Sequence, residues 1–99
     1  MAKQGNESNW VWVFIQQYFE GDKMVGRLDE QNGEQFIPFF EVKEDGLACK
    51  HAFKKEQGPD YALQAMLFEE LTDYAKENGF SLYKLDGEGH IVEKLRFEH

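Results

Sequence analysis

Apolar and polar residues along this chain follow two different periods. Over 10–19 aromatic and β-branched residues dominate, which predicts a strand ended by Glu20-Gly21-Asp22. A weaker run over 23–29 leads into Gln31-Asn32-Gly33. Asn-Gly between extended runs is a strong hairpin signal, because both residues tolerate positive φ. A third strand is predicted over 35–43 and a fourth over 47–54, with Glu44-Asp45-Gly46 turning between them. Gly58-Pro59-Asp60 then opens a 3.6-residue period. Leu63, Leu67, Leu71 and Tyr74 form a stripe, widened by Tyr61, Phe68 and Ala75, opposite Glu69, Asp73, Lys76 and Glu77. This predicts an amphipathic helix over 60–78 that stops at Gly79. Strands over 80–85 and 91–97, joined by Asp86-Gly87-Glu88-Gly89, close the chain. The expected fold is α+β: an antiparallel meander sheet of about six strands with one amphipathic helix on one face, ordered β-β-β-β-α-β-β. Residues 1–9 are expected to be a flexible lead-in, and 10–97 a single domain.

Two predicted strands are apolar on both sides. In the first, Trp10, Trp12 and Phe14 oppose Val11, Val13 and Ile15; in the third, Phe36, Phe40 and Val42 oppose Ile37 and Phe39. Pro38 removes a ladder donor there and suggests an edge or a bulge. A single helix covers a single face. The other face must then be closed by sheet curvature, by residues 1–9, by a ligand or by a second chain. Trp10, Trp12, Phe14, Phe36, Phe39 and Phe40 are therefore the candidate interface of a homo-oligomer or protein complex, with a small-molecule cavity as the lesser alternative.

Composition narrows the partners. Ninety-nine residues, 41% of them hydrophobic and nine of them Phe, suffice for one core without metal or disulfide. Eleven Lys and Arg against 19 Asp and Glu leave a net charge of −8, with no basic run longer than Lys54-Lys55. Nucleic acid and anionic membrane surfaces, which need clustered cations, are disfavoured. The longest apolar run, 10–15, is too short to span a bilayer. Cys49 is the lone cysteine, so no intramolecular disulfide forms, and a cytoplasmic location is expected. Glu98-His99 resembles the start of an affinity tag and carries no weight.

Candidate chemistry is sparse. On a strand, Cys49 and His51 would share a face about 6–7 Å apart, too far for a nucleophile–base hydrogen bond. A buried thiol that behaves as a small hydrophobe is preferred. Adding His90 gives no zinc spacing, so neither metal nor cofactor is expected. Gly87-Glu88-Gly89 lacks the spacing and the following helix of a phosphate loop. The acidic helix face, Glu69, Glu70, Asp73 and Glu77, suits a basic protein partner, although a plain solvated face is the commoner reason for such a pattern. The chain is thus expected to be a non-enzymatic binding or assembly module, homodimeric through its aromatic sheet face. The alternative is an acidic inhibitor or antitoxin-like protein that neutralises a basic partner. A small-molecule-binding domain, or an enzyme with Cys49 as nucleophile, comes third.

Overall fold

The aromatic and β-branched start of the chain does form a strand. The computed structural model describes residues 9–18, 20–53 and 60–97, the side chains of 51–53 excepted. Its elements are β1 (Trp10–Tyr18), β2 (Gly21–Met24), β3 (Arg27–Asp29), β4 (Glu34–Phe40), α1 (Lys43–Phe53), β5 (Tyr61–Leu67), α2 (Phe68–Asn78), β6 (Ser81–Leu85) and β7 (Ile91–Leu95). Three of the four hairpins expected from turn chemistry are present; the turn expected at Glu44-Asp45-Gly46 is instead the start of α1. Tyr18 faces Gly21 across the first. In the second, Gly33 takes a left-handed φ of 76°, and its N–H donates to the Asp29 carbonyl at 2.7 Å. In the third, the Asp86 carboxylate accepts the N–H groups of Glu88 and His90, both at 2.9 Å. The predicted helix stop is also in place, with Gly79 left-handed at φ 78°.

The fold is α+β, with a mixed sheet of seven strands and two helices among the described residues, so the meander with one helix is corrected on three points. First, β4 and β6 pair in parallel, Phe36 to Ser81 through Phe39 to Lys84. A parallel neighbour needs a crossover connection, and α2 supplies it by carrying the chain from β5 to β6. Second, the predicted strand over 47–54 lies largely within α1. Third, the first half of the predicted helix is β5, which pairs antiparallel with β1 from Trp10↔Leu67 to Gln16↔Tyr61. The Gly58-Pro59 start predicted for that helix lies outside the described residues, as do residues 1–8 of the predicted lead-in.

The sheet forks. β1 and β4 pair at Trp12↔Phe40 and Val13↔Phe39. Beyond that point β2 pairs with the end of β1, and β3 pairs with the start of β4. At the apex the Val25 N–H donates to the Phe14 carbonyl at 3.0 Å. β5 closes the far side of β1, and β7 pairs with β6 around a register shift at Lys84/Leu85.

Two helices explain the two-sided strands. Val11, Val13, Ile15, Ile37, Phe39 and Leu82 form one core with Leu71 and Ala75 of α2. Phe14, Phe40, Tyr61, Tyr83 and Leu85 form the other with Cys49 of α1. In that second core the Phe14 ring lies 5.4 Å from both Phe40 and Tyr61. α1 reaches the sheet through a glycine: a Cβ on Gly46 would stand 2.7 Å from a Leu63 methyl and 3.3 Å from the Phe40 ring. α2 begins without a side-chain cap on Leu67, and the Asn9 carbonyl accepts the Phe68 N–H at 2.7 Å instead.

Candidate functional site

Two places gather side chains from distant parts of the chain. The first is a polar cluster joining the β3–β4 hairpin to β6 and β7. The buried Tyr83 hydroxyl lies 2.8 Å from Asp29 Oδ2 and 2.7 Å from Glu34 Oε1, and donates its single proton between them. Arg96 Nε donates to both Glu34 oxygens, at 2.8 and 3.0 Å, and Asn32 Nδ2 donates to Oε1 at 3.2 Å. The Ser81 hydroxyl donates to Glu34 Oε2. Lys94 Nζ lies 3.6 Å from Asp29 and 5.0 Å from the centre of the Tyr83 ring. On its other side that ring stacks on Phe36, with centroids 4.0 Å apart.

The electrostatics follow from the donors. Arg96 first, then Ser81 and Tyr83, hold the Glu34 carboxyl down at about 2. The Tyr83 hydroxyl, followed by the Gln31 N–H and Lys94, places Asp29 below the ordinary carboxylate range. Burial, and then the hydrogen bonds to Glu34 and Asp29, push the Tyr83 phenol up to about 12. At neutral pH two ionised carboxylates therefore flank a protonated phenol, each satisfied by other donors. This arrangement ties strands together; it supplies neither a poised base nor an activated nucleophile.

The second place is a cleft of about 370 Å³ between the first residue of α2 and strands β1, β4, β6 and β7. Trp10 and Val11 of β1, Phe39 of β4, Phe68 of α2 and Leu95 of β7 make its apolar lining. Asn9, Glu41, Lys84 and Glu93 complete it. Lys84 Nζ lies 3.1 Å from Glu41 and 3.4 Å from Glu93, so one cation sits between two anions. A larger cleft of about 520 Å³, by Arg27, Leu28 and Glu30, is bordered mainly by exposed hairpin residues.

The six aromatic candidates do not form one open face. Phe14 and Phe40, both 0% exposed, sit in the α1-side core, with Trp12 and Phe36 packed against it. Lys43 of α1 lies 5.4 Å from the Trp12 ring. Phe39 is buried in the opposite core, and Trp10, 52% exposed, is the one that stays on the surface. Glu69, Glu70, Asp73 and Glu77 are exposed on α2, as the periodicity expects. Cys49 and His51 both lie within α1, so the strand on which they were expected to share a face is not formed. The Cys49 thiol is 1% exposed and donates to the Asp86 carbonyl at 3.1 Å. Burial, and then Asp86 and Asp45, raise its pKa. Among the described residues no group of three His, Cys, Asp or Glu side chains could hold a metal, and no helix is long and apolar enough to cross a membrane.

Sequence reasoning passed over Lys84, Glu41, Glu93 and Leu95. One signal existed: a lone lysine within the apolar run Ser-Leu-Tyr-Lys-Leu needs partners if its strand lies inside a sheet. Its partners come from β7 and the end of β4, which only the pairing of β6 brings beside it. Comparison of the chain with family models, with curated proteins and with solved structures finds no match.

Proposed function

We propose that the protein is a non-enzymatic binding module whose recognition surface is the cleft at the open end of the α2-covered sheet face. The observation that carries this reading is the exposed Trp10 beside the apolar lining that Val11, Phe39, Phe68 and Leu95 give the cleft. Most of the aromatic surface is spent on the two cores, and the cleft is what remains of it. Its charged side has a net charge of −1, because Glu41 and Glu93 outnumber Lys84. The partner that fits is an apolar protein segment carrying a basic group. The Trp12→Phe variant, in which Trp10 is the sole tryptophan, reports binding by fluorescence. A short Leu-, Phe- and Lys-rich peptide should shift Trp10 emission, and Glu93→Lys should weaken its binding by roughly 3–10-fold. An anionic peptide of equal hydrophobicity that binds as well as the basic one would overturn the reading.

A second reading, inhibition of a basic protein, draws on α2. Glu69, Glu70, Asp73 and Glu77 fall within about 100° of its circumference, and all four are exposed. Binding of a basic protein that falls steeply with salt, and is abolished by charge reversal of Asp73 and Glu77, separates it from the cleft.

A further inference from the structure

The strands that end the sheet differ in how they are protected. An edge strand presents unpaired backbone donors and acceptors, and natural sheets blunt such edges with charges, bulges or short length. β7 carries Glu93 and Lys94 and pairs with β6 around a register shift. β2 and β3 are four and three residues long and carry Asp22, Lys23, Arg27 and Asp29. β5 has none of these defences. It is seven residues long, Tyr-Ala-Leu-Gln-Ala-Met-Leu, and has no charged side chain. Its whole length is in register with β1, and among the described residues β1 is its only strand neighbour.

The sequence of β5 is also complementary to itself. Placed antiparallel to a second copy about Gln64, Ala62 opposes Met66 and Leu63 opposes Ala65, while the Gln64 amides face each other. Large thus meets small in the four inner pairings, on both faces of the ladder, and only the end pairs set Tyr61 against Leu67. This is the register that uses all seven residues; a shift of the centre by one residue shortens the ladder by two. Charge selects the same strand. Each chain carries −8, so two copies repel overall, and a contact strand without charge adds no local repulsion to that.

We propose that β5 is a self-pairing edge, through which two copies of this chain associate about Gln64 into one continuous sheet. This surface is separate from the cleft, so either proposal stands if the other fails. Because a two-fold axis normal to the sheet keeps its faces, the α1 helices of both copies lie on one side and the α2 helices on the other.

Sedimentation velocity from about 1 µM to about 1 mM tests the proposal over the affinity range of a small interface. The wild type should pass from monomer to dimer, at lower concentration as salt rises, because screening relieves the repulsion. Gln64 is exposed, so Gln64→Lys should keep the circular dichroism of the wild type while weakening dimerisation tenfold or more, since like charges then oppose each other at the axis. Gln64→Glu alone should do the same. An equimolar mixture of the two variants should recover the dimer, which this register requires. A wild type that stays monomeric throughout, a dimer indifferent to Gln64→Lys, or a mixture no tighter than its components would each overturn the proposal.

Discussion

Replacing Tyr83 with Phe isolates the contribution of the polar tie. The substitution keeps the ring, its burial and its stacking on Phe36 at 4.0 Å, and removes only the hydroxyl between Asp29 and Glu34. A hydrogen bond to a charged group contributes about 1.5–3 kcal/mol. The hydroxyl has one proton, so that contribution counts once. Glu34 keeps Arg96, Ser81 and Asn32, and Asp29 keeps the Gln31 N–H and Lys94, so neither carboxylate is left bare. The expected loss is therefore at the lower end, about 1.5–2 kcal/mol. For a domain of this size it lowers Tm by roughly 6–16 °C. Urea unfolding followed by circular dichroism measures it, with the slope unchanged. Tyr18→Phe is the control: that hydroxyl donates to Gln16, two residues away at 3.1 Å, and its removal should cost less than about 0.5 kcal/mol.

The difference between wild type and Tyr83→Phe should also depend on pH. Glu34 is depressed from its ordinary 4.5 to about 2, so the stability it contributes is complete above 4.5 and is lost as pH falls toward 2. Tyr83 is raised from 10 to about 12, so its contribution is complete below 10 and is lost as pH rises toward 12. The difference should be flat between these windows and shrink in both. A variant as stable as the wild type at neutral pH, or a difference that grows in acid, would refute the assignment of the cluster as a tie.

Two further outcomes test the placement of α1. In an open helix Gly→Ala stabilises by about 1 kcal/mol, but Gly46→Ala drives a methyl into Leu63 and Phe40 and should instead destabilise by about 1 kcal/mol in a urea melt; a gain would mean that α1 is not seated on β5. Cys49, buried and donating to Asp86, should react with a thiol reagent at neutral pH at least about 100-fold more slowly in native than in urea-unfolded protein. Comparable rates would unseat α1 from the Asp86–Gly89 turn and revive Cys49 as a nucleophile.

How much of this was legible in the sequence depends on how local each determinant is. Turns were legible, because Gly21, Gly33, Gly79 and the Asp86–Gly89 loop act through their own backbone conformations and nearest neighbours. So were the strand character of 10–18 and 34–40, and the second half of the helix, where Leu71 and Ala75 are buried opposite exposed acids. The excess of two-sided apolar strands was also legible, and correctly demanded a cover on both faces. What supplied that cover was not. The alternation Leu47, Cys49, His51, Phe53 fits a half-buried strand, yet the same stretch packs as a helix, through the close approach that Gly46 permits. Leu63, Leu67 and Leu71 fit one helical stripe, yet β1 needed a partner along 10–16 and drew 61–67 into the sheet. An edge strand covered on both faces lacks the polar alternation that would announce it, and Ala, Leu, Gln and Met favour helix by intrinsic preference. Pairing energy across some fifty residues overrode that preference. The parallel β4–β6 register, the Tyr83 tie and the cleft around Lys84 follow from the same long-range choices. They belong to the tertiary structure because no short segment holds both sides of any of these contacts.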